Sequence, residues 1–62
     1  MQNDARSDEV CSRIEDAMKL LKRIAEQNPK GLIVNVDDVR ASLLLAEHHI
    51  NSALWALARI GN

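Results

Sequence analysis

The sequence contains no Phe or Tyr and only one Trp, one Cys and one Pro among its 62 residues. The single Cys11 excludes an internal disulfide, and no Cys/His group has the spacing of a zinc site. With so few aromatic residues, the core has to be aliphatic, and the Ala and Leu of the second half favour helices. Since a chain of this length rarely gains more than about 3–5 kcal/mol from its own core, a second subunit is the stabilising device that remains.

The sequence also lacks an excess of charge of either sign, because 8 basic and 9 acidic residues leave a net charge of −1. No strong field is available to attract nucleic acid or an anionic membrane. The first nine residues lack the basic and apolar regions of a signal peptide, and no apolar run approaches the roughly 18 residues of a membrane span. We expect a cytoplasmic protein without a cofactor.

Apolar residues spaced by three and four positions predict an amphipathic helix over residues 8–27. These positions are Val10, Cys11, Ile14, Ala17, Met18, Leu21, Ile24 and Ala25. Ser7 is the expected N-cap, and Pro29 ends the helix at Asn28 because the residue before proline avoids helical angles. Cys11 is expected to be a small buried apolar residue rather than a reactive thiol.

The connection over residues 28–35 contains Gly31, which supplies a permissive turn. Residues 32–34 are apolar and fit either a short strand or a buried loop. We favour an apolar connection that covers the end of a helix pair.

A second helix is predicted over residues 36–60, with Gly61 as its stop. Asn35 is the expected N-cap, and Val34 and Val39 occupy the two positions of a hydrophobic staple.

The short connection predicts an all-α fold in which residues 1–62 form one antiparallel two-helix hairpin. The apolar positions of the two helices agree on one antiparallel alignment. The predicted layers are Ile24–Val39, Leu21–Leu43, Ala17–Ala46, Ile14–Ile50 and Val10–Ala53. We expect the central alanines to let the two backbones approach closely.

Two groups of apolar residues remain uncovered in this alignment. The last turn and a half of the second helix extends past the first helix and exposes Leu57 and Ile60. We predict a homodimer in a four-helix arrangement, with Leu54, Leu57 and Ile60 at the dimer interface. The side of the second helix that faces away from the hairpin predicts a partner-binding stripe, with packing of Trp55 in the dimer core as the alternative. Its residues are Leu44, Leu45, His48, Trp55 and Ala58.

In length and helix-loop-helix layout the chain resembles the plasmid-encoded Rop hairpins, which are RNA-binding dimers. This resemblance implies an alternative function, RNA or DNA binding by the paired first helices. The basic strip that would contact phosphates is Lys19, Lys22 and Arg23, followed by Lys30. Acidic residues are mixed into the strip, which favours a solvated helix surface instead.

The cluster Glu47, His48 and His49 is the one group of possible metal ligands in the sequence. Adjacent histidines on a helix point about 100° apart, so they do not share an ion, and we expect no metal site. His48 lies on the Trp55 side and suits a partner contact that is sensitive to pH near neutrality. No nucleophile is paired with a base, so we expect no enzyme.

Together these patterns predict a small non-enzymatic interaction protein. It would be a homodimeric adaptor or inhibitor of the kind found among bacterial and phage regulators, binding a larger protein through its second helix. Sequestering a transcription factor is one example of such a role.

Overall fold

The computed structural model describes residues 5–61, which form two long helices packed against each other. Helix α1 covers Ala5–Gln27, helix α2 covers Val36–Gly61, and a 3-10 turn at Pro29–Gly31 lies between them. The predicted all-helical hairpin is confirmed, and the described residues include no strand. Residues 1–4 and 62 of the predicted domain lie outside this range.

The hairpin is one helix thick. Its principal extents are 44 × 18 × 13 Å, and the smallest is close to the roughly 10–12 Å diameter of one helix with its side chains. A stable domain usually places a second layer over its first. The hairpin therefore has two broad faces, each made by both helices, and no second layer over either.

Helix α1 begins earlier than the sequence indicates, so the prediction of Ser7 as N-cap is wrong. The helix starts at Ala5, because Ala and Arg are strong helix formers and the first turn is tied to the end of α2. Arg6 Nη1 donates a hydrogen bond to the Arg59 carbonyl at 3.0 Å. Glu9 Oε2 lies 3.8 Å from Arg59 Nη2 in the next turn.

The extra length of α1 also corrects the predicted overhang of α2. Ala56 is fully buried and Ile60 is half-buried, because the first turns of α1 lie alongside them. Leu57 remains exposed, but it lies beside the helix contact and not beyond its end.

Asn28 organises the connection between the helices. Its backbone N–H and its side-chain Nδ2 both donate to the Ile24 carbonyl, at 3.1 and 2.9 Å. Its Oδ1 accepts the Val34 N–H at 3.0 Å. Helix α1 thus ends at Gln27, just before Asn28 and Pro29, as predicted.

We expect Asn28→Ala to lower the free energy of unfolding by about 1–2 kcal/mol, because the variant loses both side-chain hydrogen bonds that close the connection. Urea denaturation monitored by circular dichroism measures this change. Asn51→Ala is the control, since Asn51 is exposed in the middle of α2 and alanine is the better helix former there. Equal stability of the two variants would contradict the role of Asn28.

The apolar run after the turn lies on the surface, so the prediction that it covers the end of the helix pair is wrong. Lys30 and Gly31 both have left-handed backbone angles, with φ of +63° and +73°. Two successive left-handed residues redirect the chain, and Asn28 holds Val34 at the exterior. Leu32, Ile33 and Val34 are consequently all exposed.

Asn35 caps α2, as predicted. Its side-chain Oδ1 accepts the Asp38 N–H at 3.1 Å, and its carbonyl accepts the Val39 N–H at 3.0 Å. Such a cap contributes about 1 kcal/mol. The predicted staple adds little, since Val34 is 80% exposed. The helix runs to Gly61, one residue past the predicted end.

Small residues form the contact between the helices, which we call the seam. The buried residues of the described range are Ala17, Ser42, Ala46, Ala53 and Ala56, and the four alanines are 0–8% exposed. Half-buried residues continue the seam along both helices, namely Val10, Arg13, Leu20 and Ile24 in α1 and Val39, His49 and Ile60 in α2. No large side chain in the described range is fully buried.

Two of the predicted layers, Leu21–Leu43 and Ile14–Ile50, are wrong. All four side chains are 44–47% exposed and lie beside the seam. The residues that directly precede these four in the sequence lie in the seam instead. Arg13 Nη1 donates to His49 Nδ1 at 3.3 Å, and Arg23 Nη2 reaches the buried Ser42 Oγ at 3.4 Å.

The physical reason is the size of the side chains. Alanine and serine at Ala46, Ala53, Ala56 and Ser42 let the backbones come close, and a leucine at the centre of the seam would hold them apart. The predicted Ala17–Ala46 layer agrees with the structure, because both alanines are buried and they lie between the contacts Arg13–His49 and Arg23–Ser42. Cys11 is exposed, which corrects its predicted burial.

Candidate interaction surfaces

The two broad faces of the hairpin differ in polarity. On one face, which we call the polar face, lie residues that directly precede a seam residue, such as Glu9, Arg23 and Arg59. Arg59 approaches Glu9 across the helices, and Arg23 reaches Ser42. The heptad positions of Glu9 in α1 and Arg59 in α2 therefore share this face, and the heptad positions of Ile14 in α1 and Leu43 in α2 share the other.

The opposite face is apolar on both helices. Its residues each directly follow a seam residue, and we call them the apolar face: Ile14, Leu21, Leu43, Ile50 and Leu57. They are 44–52% exposed, and Met18 and Leu54 beside them are more exposed still. Within each helix these residues recur every seven positions, so they form two parallel rows.

An open groove extends the apolar face toward the connection. It is lined by Ile33, Val36, Val39, Leu43 and Leu44, with Arg40 and Glu47 at its rim. The sequence prediction missed this groove, although its signal was present. Val36 lies seven residues before Leu43, so α2 carries one unbroken row of four large apolar residues at seven-residue spacing.

The outer side of α2, which we call the α2 edge, carries most of the predicted partner stripe. Leu44, His48, Trp55 and Ala58 fall within roughly 80° of one another on the helix. All four are exposed, and Trp55 is 74% exposed. Trp55 and Ala58 line a shallow hollow with Leu54.

Leu45 is the predicted partner residue that is separated from the others. It follows Leu44 directly, so it points about 100° away from it. Because it lies two heptads before Arg59, it shares the polar face, where it is 47% exposed.

The three predicted dimer residues occupy three different places. Leu57 belongs to the apolar face, and Leu54 lies between that face and the α2 edge. Ile60 is half-buried in the seam. The structure thus does not bring them together into one patch.

The predicted basic strip is divided as well. Lys19 and Lys22 are exposed and line a shallow groove with Glu15 and Met18. Arg23 turns toward the seam, where it hydrogen-bonds Ser42. A phosphate would meet two lysines beside a carboxylate.

The two histidines have separate environments. The ring centroids of His48 and His49 are 5.8 Å apart, and His49 Nδ1 faces Arg13. Because a guanidinium only donates hydrogen bonds, His49 Nδ1 is the acceptor of this contact. Between residues 5 and 61, no three His, Cys, Asp or Glu side chains are placed to hold one metal ion.

Neither described helix is long and apolar enough to cross a membrane. No protein-family model, no curated protein and no solved structure matches this chain. Its functional interpretation therefore depends on the apolar face and the α2 edge.

Proposed function

We propose that the chain is a non-enzymatic interaction module that forms a homodimer and binds a larger protein through the α2 edge. Support comes from its surface area. The hairpin exposes 5038 Å², whereas a compact monomer of its mass would expose about 4,000 Å². The excess of about 1,000 Å² is comparable to the roughly 800 Å² that each partner buries in a standard interface.

Two separate apolar surfaces favour two kinds of contact. A second copy that covers the apolar face leaves His48, Trp55 and Ala58 of the α2 edge free, whereas Leu44 also lines the groove at the connection. The main evidence that the chain binds a further protein is Trp55, whose side chain stays 74% exposed in the closed hairpin. Tryptophan is strongly enriched among residues that dominate interface energies.

The spacing on the α2 edge suits a groove in the partner. Leu44, His48, Trp55 and Ala58 are related by steps of four, seven and three residues, which align along one side of a helix. An apolar groove that receives one side of a helix is a common recognition mode.

A module of this kind acts by occupying a surface of its partner, as an adaptor or inhibitor does. Sequestering a transcription factor is one such role. The exposed thiol of Cys11 suits the reducing cytoplasm, which is the location we propose.

Trp55→Asp should weaken partner binding by at least about 30-fold, because loss of such an anchor residue typically costs 2 kcal/mol or more. The partner is first captured from the source cell with the unmodified chain, and its affinity for each variant is then measured by calorimetry. Lys19→Ala is the control, since Lys19 lies on the outer side of α1. The dimer should be unchanged in Trp55→Asp, and unchanged partner capture by this variant would contradict binding through the α2 edge.

Nucleic-acid binding is the competing proposal, and the exposure of Lys19 and Lys22 favours it. Phosphate contacts would make the affinity for RNA or DNA fall steeply with salt. They would also make it fall in Lys22→Ala, a change that should not affect capture of a protein by the α2 edge. Absence of binding to either nucleic acid at low salt would eliminate this alternative.

A further inference from the structure

We propose that the apolar face binds the same face of a second copy across a two-fold axis, with the two hairpins antiparallel. The axis runs perpendicular to the helices at the level of Ala17 and Ala46. The inference rests on the proposed homodimer and specifies which surface forms it and in which orientation.

The spacing of the large side chains is nearly symmetric about this level. In α1, Ile14 lies three residues before Ala17 and Leu21 lies four residues after it. In α2, Leu43 lies three residues before Ala46 and Ile50 lies four residues after it. The axis therefore places Ile14 against Leu21 of the second copy, and Leu43 against Ile50 of the second copy.

Such self-complementarity is what a two-fold interface requires, because the same patch serves on both subunits. Each contact pairs two aliphatic side chains of nearly equal volume. The rows of α1 and α2 share this symmetry at nearly the same height, since the contacts Arg13–His49 and Arg23–Ser42 bracket Ala17 and Ala46 on both sides.

The axis also provides an occupant for the groove at the connection. Val36 lies ten residues before Ala46, and Leu57 lies eleven residues after it. Leu57 of the second copy therefore enters the groove that Ile33, Val36 and Leu43 line. In each hairpin, the end opposite the connection therefore covers the connection of the other hairpin.

Three observations favour a second copy over a different partner on this face. The buried residues of the seam are four alanines and a serine, so the chain needs a second apolar layer to have a core of large side chains. The opposite broad face carries the charged contacts Arg59–Glu9 and Arg23–Ser42, which suit water. The excess exposed area matches one partner's share of a standard interface.

The arrangement includes one unfavourable contact. Glu47 lies one residue after Ala46 at the rim of the apolar face, so the axis brings it near its own copy. Because the rim is open to solvent, water screens this repulsion.

Disulfide cross-linking tests the axis. Residues 18 and 47 each lie one position from the axis, so cysteines there come within the roughly 4.4–6.8 Å Cα separation that a disulfide needs. We expect Cys11→Ser/Met18→Cys and Cys11→Ser/Glu47→Cys to form covalent dimers at least about tenfold faster than the control Cys11→Ser/Lys19→Cys. Lys19 follows Met18 but points away from the face. The side chains of Met18, Lys19 and Glu47 are all exposed, so the variants should fold.

The unmodified chain is a second control. Cys11 lies six residues before Ala17, so its two copies would be about 20 Å apart and should not cross-link. Static light scattering on the same samples separates the outcomes. A dimeric mass without preferential cross-linking at residues 18 and 47 overturns the axis and leaves the homodimer standing. A monomeric mass at micromolar concentration overturns both.

Discussion

Ile50→Asp is expected to convert the dimer into monomers and to unfold most of the chain at micromolar concentration. Fully burying an Ile side chain contributes about 1.5–3 kcal/mol. Because Ile50 is 46% exposed in the hairpin, the dimer adds about half of this, and the two-fold axis makes the loss occur twice. The new carboxylate would also enter an apolar contact without a hydrogen-bond partner, which adds a further cost. The combined loss corresponds to at least about a hundredfold weaker dimer.

Leu45→Asp is the matched control for this experiment. Leu45 and Ile50 are 47% and 46% exposed on the same helix, but Leu45 lies on the polar face. If only exposure in the free hairpin mattered, the two variants would affect the dimer equally. If the apolar face forms the dimer, Ile50→Asp should weaken it far more than Leu45→Asp. Sedimentation equilibrium measures the mass and circular dichroism measures the helix content. Dimeric, fully helical Ile50→Asp protein would show that the apolar face is not the dimer interface.

Ala46→Leu is expected to destabilise the hairpin by about 1–3 kcal/mol, because extra methylene groups in a close-packed site push the helices apart. Ala46 is 2% exposed and Ala17 is 4% exposed in the seam, so a larger side chain at position 46 has no solvent-exposed space to enter. This loss is large beside the roughly 3–5 kcal/mol that the core of so small a domain contributes. The midpoint of urea denaturation measures the effect.

Ala41→Leu controls for the change in residue type. Ala41 is exposed in the same helix, and leucine is nearly as good a helix former as alanine, so stability should change by less than about 0.5 kcal/mol. If Ala46→Leu raised the midpoint instead, the seam would contain unfilled space and the close approach of the helices would be disproved.

The hydrophobic pattern predicts the two helices and one position per heptad of their contact. Val10, Ala17 and Ile24 in α1 lie in the seam as expected. The other seam residue of each heptad is predicted one position too late, for example Ile14 instead of Arg13. Residues three and four positions after a seam residue both lie near the contact between the helices. The pattern favours the larger apolar residue of each pair, such as Ile50 over His49, and close approach favours the smaller or more polar one.

This error has a physical origin in the number of surfaces that α2 presents. An apolar row that is covered by its own hairpin and a row that is covered by another chain look alike in a single sequence. The predicted contact between the two helices therefore combined residues of the seam with residues of the apolar face. Polar seam contacts such as Arg13–His49 and Arg23–Ser42 have no hydropathy signal at all.

The candidate partner site was more predictable than the seam. The outward position of Trp55 follows from helical periodicity alone, and its exposure is confirmed. The start of α1 at Ala5 was not predictable in this way, because it depends on Arg6 reaching the carbonyl of Arg59, a contact between residues far apart in sequence. Capping rules describe only neighbouring residues.

The contact between Arg6 and Arg59 has a geometric consequence for anything fused to this chain. Since these two residues touch, segments attached before α1 or after α2 leave from the same end of the hairpin, opposite the connection. In the proposed antiparallel dimer, the two copies would carry such segments at opposite ends. With a hairpin 44 Å long, the dimer would act as a rigid spacer that holds its attached cargo apart and facing in opposite directions.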